Sequence, residues 1–171
     1  MKATGIVRRI DDLGRVVIPK EIRRTLRIRE GAPLEIYVDR SGGLILKKYS
    51  PLKEMADLVG DYVESLNEKL QTPAFIVDHD GVVAAAGVEE GAWIQKETPE
   101  AVLECIENRK VTVLRGEEAV WSFSACAVAP IIAEGDALGA VLVVPQDEPS
   151  AELALKLAET AAGFLGRQIM L

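Results

Sequence analysis

The chain has 171 residues, 49% of them apolar and 27% charged, with a net charge of −7. That composition excludes a disordered or collagen-like chain, no apolar run is long enough to span a bilayer, and the length allows one domain or two small ones. The charge is divided unevenly: residues 1–53 carry 13 Lys and Arg against 6 Asp and Glu, and residues 54–171 carry 7 against 21, so only the first segment suits a polyanionic partner.

Residues 4–10 are rich in β-branched side chains and read as a strand, followed by turn chemistry at Asp11-Asp12-Leu13-Gly14. Arg15 to Ile18 read as a second strand that Pro19 ends, since proline cannot donate to a ladder but can open a helix. Lys20 to Arg27 then suit two helical turns, with Ile22 and Leu26 on one face and Arg23, Arg24 and Arg27 turned outward. Leu34 to Val38 alternate, Arg40-Ser41-Gly42-Gly43 supply a hairpin turn, and Leu44 to Lys48 return. A β unit of about 50 residues without cysteines or metal ligands buries too little to stand alone, which predicts a dimer with interleaved strands.

Ser50-Pro51 predicts a helix start, with Leu52, Met55, Val59, Tyr62 and Leu66 at heptad spacing and Gly60 as a point of close helix packing. Beyond Pro73 the pattern changes. Strands are expected at 74–77 and 82–86 around an exposed Asp78-His79-Asp80-Gly81 turn, a helix at 98–108, and a short strand at 111–114. A long hairpin over 124–132 and 138–144 precedes a final helix, capped by Ser150, with Leu153, Leu157, Ala161, Leu165 and Ile169 along one side. The result is a sheet layered with helices.

No catalytic constellation, Walker loop, dinucleotide fingerprint or metal-ligand spacing is present, so no enzyme, cofactor, catalytic residue or metal ligand is expected. Cys105 and Cys126 read as small apolar packers. Seven arginines between positions 8 and 29 are the distinctive chemistry. Arginine neutralises phosphates and can grip guanine edges bidentately, whereas aromatic residues for stacking unpaired bases are scarce in this segment. Double-stranded DNA is the expected partner. With no apolar segment ahead of a small-residue cleavage site, the expected compartment is the cytoplasm, in association with the nucleoid.

The run from Met1 through Gly14-Arg15-Val16-Val17-Ile18-Pro19-Lys20-Glu21-Ile22-Arg23-Arg24-Thr25-Leu26, continuing to Tyr49, closely resembles the AbrB-type swapped-hairpin DNA-binding domain of transition-state regulators. The segment ending in Glu159 to Gln168 resembles the GAF half of a sporulation regulator carrying that head. The resemblance implies an α+β chain: a swapped-hairpin β-barrel formed by dimerisation over 1–50, a linker helix over 51–71, and a GAF-like α/β sandwich over 72–171. It further implies a homodimer through residues 1–50, a homotetramer through the helices and the GAF-like half, and a transcription regulator that activates and represses during spore development. Its DNA-contacting positions map onto Arg8, Arg15, Arg23 and Arg24, with Arg9 and Lys20 in the same matching stretch. An unidentified small-molecule effector is a partner that the resemblance allows, though no motif names it. The alternative is an antitoxin-like module, which would neutralise a partner protein and autoregulate its operon.

Overall fold

The computed structural model describes residues 4–94 and 96–169, and the chain divides into two compact units, Met1–Tyr49 and Ser50–Leu171. In the first, Pro19 precedes α1 (Lys20–Thr25), its carbonyl accepting from the Arg23 amide. Strands β1 (Leu34–Val38) and β2 (Leu44–Lys48) pair antiparallel, Leu34 opposite Lys48 and Val38 opposite Leu44. Asp39 closes this hairpin by accepting the Ser41 and Gly43 amides at 2.8 Å each, while Gly42 takes φ +88°.

The strands expected at 4–10 and 15–18 do not form within one chain, and the described residues make no closed barrel. A strand exists only against a hydrogen-bonded neighbour, and among the described residues none pairs with them in a ladder. Their side chains remain in solvent: Val7 is 86% exposed, Ile10 69% and Val17 70%. Across residues 4–49 only Pro19 is buried.

The second unit is built differently. Strands β3 (Ala74–Asp78), β4 (Val82–Ala86), β5 (Thr112–Arg115), β6 (Ala125–Ala133) and β7 (Asp136–Val143) form one antiparallel sheet in the order β4-β3-β7-β6-β5. Helices cover both faces. Helices α3 (Ala56–Leu70) and α6 (Ala151–Gln168) pack with Ile76, Ala129, Ile131, Val141 and Val143 on one side. Helix α5 (Glu100–Glu107) and the short α4 (Glu90–Trp93) lie with Phe75, Val77, Cys126, Val128 and Leu142 on the other. Burial on both faces explains why the central strands read as continuous apolar runs and not as alternating ones. Cys105 and Cys126 are buried, and burial pushes the Cys126 thiol up to about 12.

The expected linker helix over 51–71 is two helices, α2 (Pro51–Glu54) and α3, interrupted at Met55, and both belong to the second unit. Helix α3 buries Val59, Val63 and Leu66, so its packing stripe includes Val63, which the heptad reading omitted. A Cβ at Gly60 would meet nothing within 4 Å, so the close packing expected there does not occur within this chain. The final helix buries Ala161, Leu165 and Ile169 of the expected stripe, but its inward face is wider and shifted away from Leu153. Ala151, Ala154, Ala158, Ala161, Ala162, Leu165 and Gly166 are buried, while Leu153 is 55% exposed. Small residues win because the backbones nearly touch: a Cβ at Gly166 would sit 2.2 Å from the Ile132 carbonyl oxygen. Ser150 does not cap α6 with its side chain; it forms a reciprocal capping box with Asp147 over the turn before the helix.

The Asp78-His79-Asp80 turn is not simply exposed. Asp78 is 4% exposed and accepts the Asp80 and Gly81 amides at 2.8 and 2.9 Å. Ser50, expected to cap α2, instead donates its hydroxyl to Asp78 Oδ2 at 2.9 Å, and Lys53 Nζ lies 3.3 Å from the same oxygen. Burial pushes the Asp78 carboxyl up, but the Gly81 and Asp80 amides, the Lys53 ammonium and the Ser50 hydroxyl outweigh it and hold the group below its ordinary value. A carboxyl lowered in this way stabilises the fold above its unfolded value near ~4, and the benefit is lost as pH falls through the folded value.

Two outcomes are expected in urea unfolding. Gly166→Ala destabilises the chain by about 1–3 kcal/mol through overpacking, whereas Gly60→Ala, with open space around it, stabilises the helix by about 1 kcal/mol. In Asp78→Asn the stability deficit relative to wild type is greatest above about pH 5 and narrows below about pH 4, as a pH series of melts will read.

Candidate nucleic-acid interface

The six basic side chains singled out from the sequence, Arg8, Arg9, Arg15, Lys20, Arg23 and Arg24, are all exposed in the first unit. Lys20, Arg23 and Arg24 come together on α1, where spacings of three and four residues place side chains on one face. Arg15 stands at the end of a closed turn, and Arg8 and Arg9 lie on the extended run that enters it. All three groups sit in a unit whose charge is positive, within a chain that is otherwise acidic.

The turn before Arg15 is fixed by Asp11. One carboxylate oxygen accepts the Leu13 and Arg15 amides at 3.0 and 2.8 Å, and the backbone closes through Asp11 N–H to the Arg15 carbonyl (2.9 Å) and Gly14 N–H to the Asp11 carbonyl (3.1 Å). Gly14 supplies the φ of +76° that this turn requires. The other Asp11 oxygen accepts from Arg15 Nε at 2.9 Å. Arg23 Nε donates to the Ile18 carbonyl at 3.1 Å, and Arg8 Nη1 to the Val7 carbonyl at 3.2 Å. The Asp11 carboxyl is held below its ordinary value, first by the Arg15 amide; desolvation opposes this, and the Arg15 guanidinium and the Leu13 amide outweigh it together with that amide.

Sequence reasoning treated Asp11 as turn chemistry alone and missed its hold on Arg15. The signal was present in the spacing, because an aspartate three residues before a glycine and four before an arginine can cap a turn and reach the side chain beyond it. It also missed an aromatic group in the second unit. Trp93 and Trp121 meet edge to face at 4.9 Å, and each lies 5.0 Å from Phe75, with Phe123 5.9 Å from Trp93. Trp93, Trp121 and Phe123 are partly buried against the core on the α5 side of the sheet. Trp121 and Phe123 share one stretch, but Phe75 and Trp93 come from two others, so no local pattern could reveal the meeting.

Comparison with known proteins agrees with this division. A family model described as "Stage V sporulation protein T C-terminal, transcription factor" matches residues 54–170, and one described as "Antidote-toxin recognition MazE, bacterial antitoxin" matches residues 7–54. The chain is 46% identical over 176 residues to stage V sporulation protein T of Bacillus subtilis (strain 168), spanning 99% of both chains. It is 51% identical over 81 residues to the transition state regulatory protein AbrB of the same organism, covering 47% of this chain and 81% of that one. Among solved structures, the A. aeolicus nlh2 GAF domain in an inactive state aligns with a TM-score of 0.53 at 14% identity, covering 71% of this chain and 85% of that one. The fold of the second unit is therefore of the GAF type. With near-complete coverage of its relative and a matching C-terminal model, this chain belongs to the stage V sporulation protein T family of transcription factors.

Proposed function

We propose that the chain is a sequence-selective, double-stranded-DNA-binding transcription regulator of spore development, acting at different promoters as activator and as repressor. The observation that carries this reading is a cationic head with every candidate arginine in solvent, in a chain whose relatives are transcription regulators. Arg8, Arg15, Arg23 and Arg24 make the principal contacts to the duplex, and Arg9 and Lys20 add to the attraction of phosphates. Domain boundaries are proposed at 1–50 for the head and 72–171 for the regulatory half, with 51–71 between them.

The head acts as a homodimer. Its support is the apolar surface that one chain leaves uncovered: Val7, Val17, Val38 and Leu44 are each at least 70% exposed. Side chains of this kind are worth about 1.5–3 kcal/mol each when fully buried. The GAF half drives assembly to a homotetramer through its helices, where Leu153 and the Tyr62–Phe164 pair (centroids 5.6 Å apart) remain partly or wholly exposed. It is also where a small-molecule effector would act. The protein has no catalytic role in this reading and works in the cytoplasm on the nucleoid; no helix among the described residues is long and apolar enough to cross a membrane.

One observation favours a second reading. The antitoxin model matching residues 7–54 fits a module that neutralises a partner protein and autoregulates its operon. Against it stands the second unit, a layered five-stranded sheet matched by a transcription-factor model in place of a disordered acidic tail.

Fluorescence anisotropy on labelled duplexes tests the regulator. Wild type binds duplex in preference to single strand, and log K falls with log salt. Arg15→Ala and Arg23→Ala each weaken binding and flatten that slope by about 0.9 per lost phosphate contact. Unchanged slopes in both would remove these residues from the interface. Light scattering on the full chain, diluted through the micromolar range, should show even-numbered oligomers and no folded monomer.

A further inference from the structure

Arg15 and Arg23 share a detail that the charge count does not require. Each donates its Nε–H inward, Arg15 to the Asp11 carboxylate at 2.9 Å and Arg23 to the Ile18 carbonyl at 3.1 Å. A guanidinium presents a side edge, made of Nε and one terminal nitrogen, and an end edge, made of both terminal nitrogens. With Nε engaged, the side edge is closed to any other acceptor and the end edge remains for a bidentate grip. Arg8 differs, because the nitrogen it uses on the Val7 carbonyl is terminal.

Asp11 is well suited to hold a guanidinium still. One of its oxygens is immobilised by two backbone amides of the turn, so the other stands at a defined place, and that one meets Arg15. An ion pair this exposed (side chains 69% and 40%) does little for stability. Its cost to DNA affinity is also evident, since a carboxylate beside the contacting arginine opposes the phosphate field. What it supplies is orientation: an arginine already set in one rotamer loses less freedom when it docks.

We infer that Asp11 is a positioning residue for base readout, fixing the end edge of Arg15 toward the groove and giving up non-specific phosphate affinity in return for sequence selectivity. This rests on the head being the DNA-binding element. Base-edge contacts by bidentate arginine discriminate between bases, whereas phosphate contacts carry no sequence information.

The test uses the full-length protein and two duplexes of equal length, one enriched from a random pool by wild type and one of scrambled sequence. Asp11→Asn retains an oxygen for the Leu13 and Arg15 amides but has no second acceptor for Nε, so the turn survives while the guanidinium is released. The expected result is a selectivity ratio lower by about tenfold, with affinity for the scrambled duplex equal to wild type or tighter, and a salt slope at least as steep. Arg15→Lys, which cannot present two parallel donors, should lower the ratio similarly, and the double variant should lose no more than either alone. Amide exchange at residues 11–15 in Asp11→Asn reads the turn directly. A wild-type ratio in Asp11→Asn, or equal weakening on both duplexes, overturns the inference. Wild type that itself shows no preference between the duplexes overturns the sequence-selective reading beneath it, a result distinct from either of those.

Discussion

Among residues 4–49 only Pro19 is buried, and a segment of that kind cannot hold a shape through its own interior. Everything about the first unit follows from this deficit. Its local devices are all turn closures and short-range hydrogen bonds: Asp11 on its own loop, Asp39 on the hairpin, the Pro19 carbonyl at the mouth of α1. Such contacts set directions for side chains but contribute little cohesion, because solvent competes for every one of them. Further cohesion would require covering the apolar side chains that the unit leaves in solvent. Arg23 and Arg24 stand on a helix that forms within one chain and Arg15 on a closed turn, whereas Arg8 and Arg9 stand on a run that forms no strand there.

The second unit meets the opposite condition. Its sheet is enclosed on both faces by helices, and its packing is intimate on one side and aromatic on the other. Alanine and glycine along α6 bring backbone against backbone, while Phe75, Trp93, Trp121 and Phe123 fill the far side with large rings. One face is closed by small residues at short range, the other by rings drawn from β3, α4 and the stretch before β6. Between them Asp78 gathers two turn amides, a hydroxyl and an ammonium, tying the beginning of the second unit to the β3–β4 turn.

How much of this was legible differed by scale. The hairpin at 34–48, all five sheet strands and the helix at 100–107 were readable from β-branched runs and turn residues, and the charge division located the basic head without any geometry. The strands at 4–10 and 15–18 were read from propensity, but propensity is silent on where a partner strand resides, and one chain provides none. The α6 stripe was read in part: Ala161, Leu165 and Ile169 are buried as expected, but Leu153 is exposed and Ala151, Ala154, Ala158 and Ala162 take the inward places, a preference for small residues visible only when the sheet is in place. Asp78 looked like turn chemistry, and its reach to Ser50 spans 28 residues of sequence. Local rules foresaw elements well and foresaw contacts across elements poorly.

The near-collision of Gly166 with the Ile132 carbonyl has one more implication. The adjoining Leu165 and Arg167 both carry a Cβ, so sliding α6 by a residue in either direction would drive a carbon toward the β6 backbone. The helix is thereby keyed to its sheet like a tumbler in a slot. The opposite side of the sheet is closed differently, by the rings of Trp93 and Trp121 packed on Phe75.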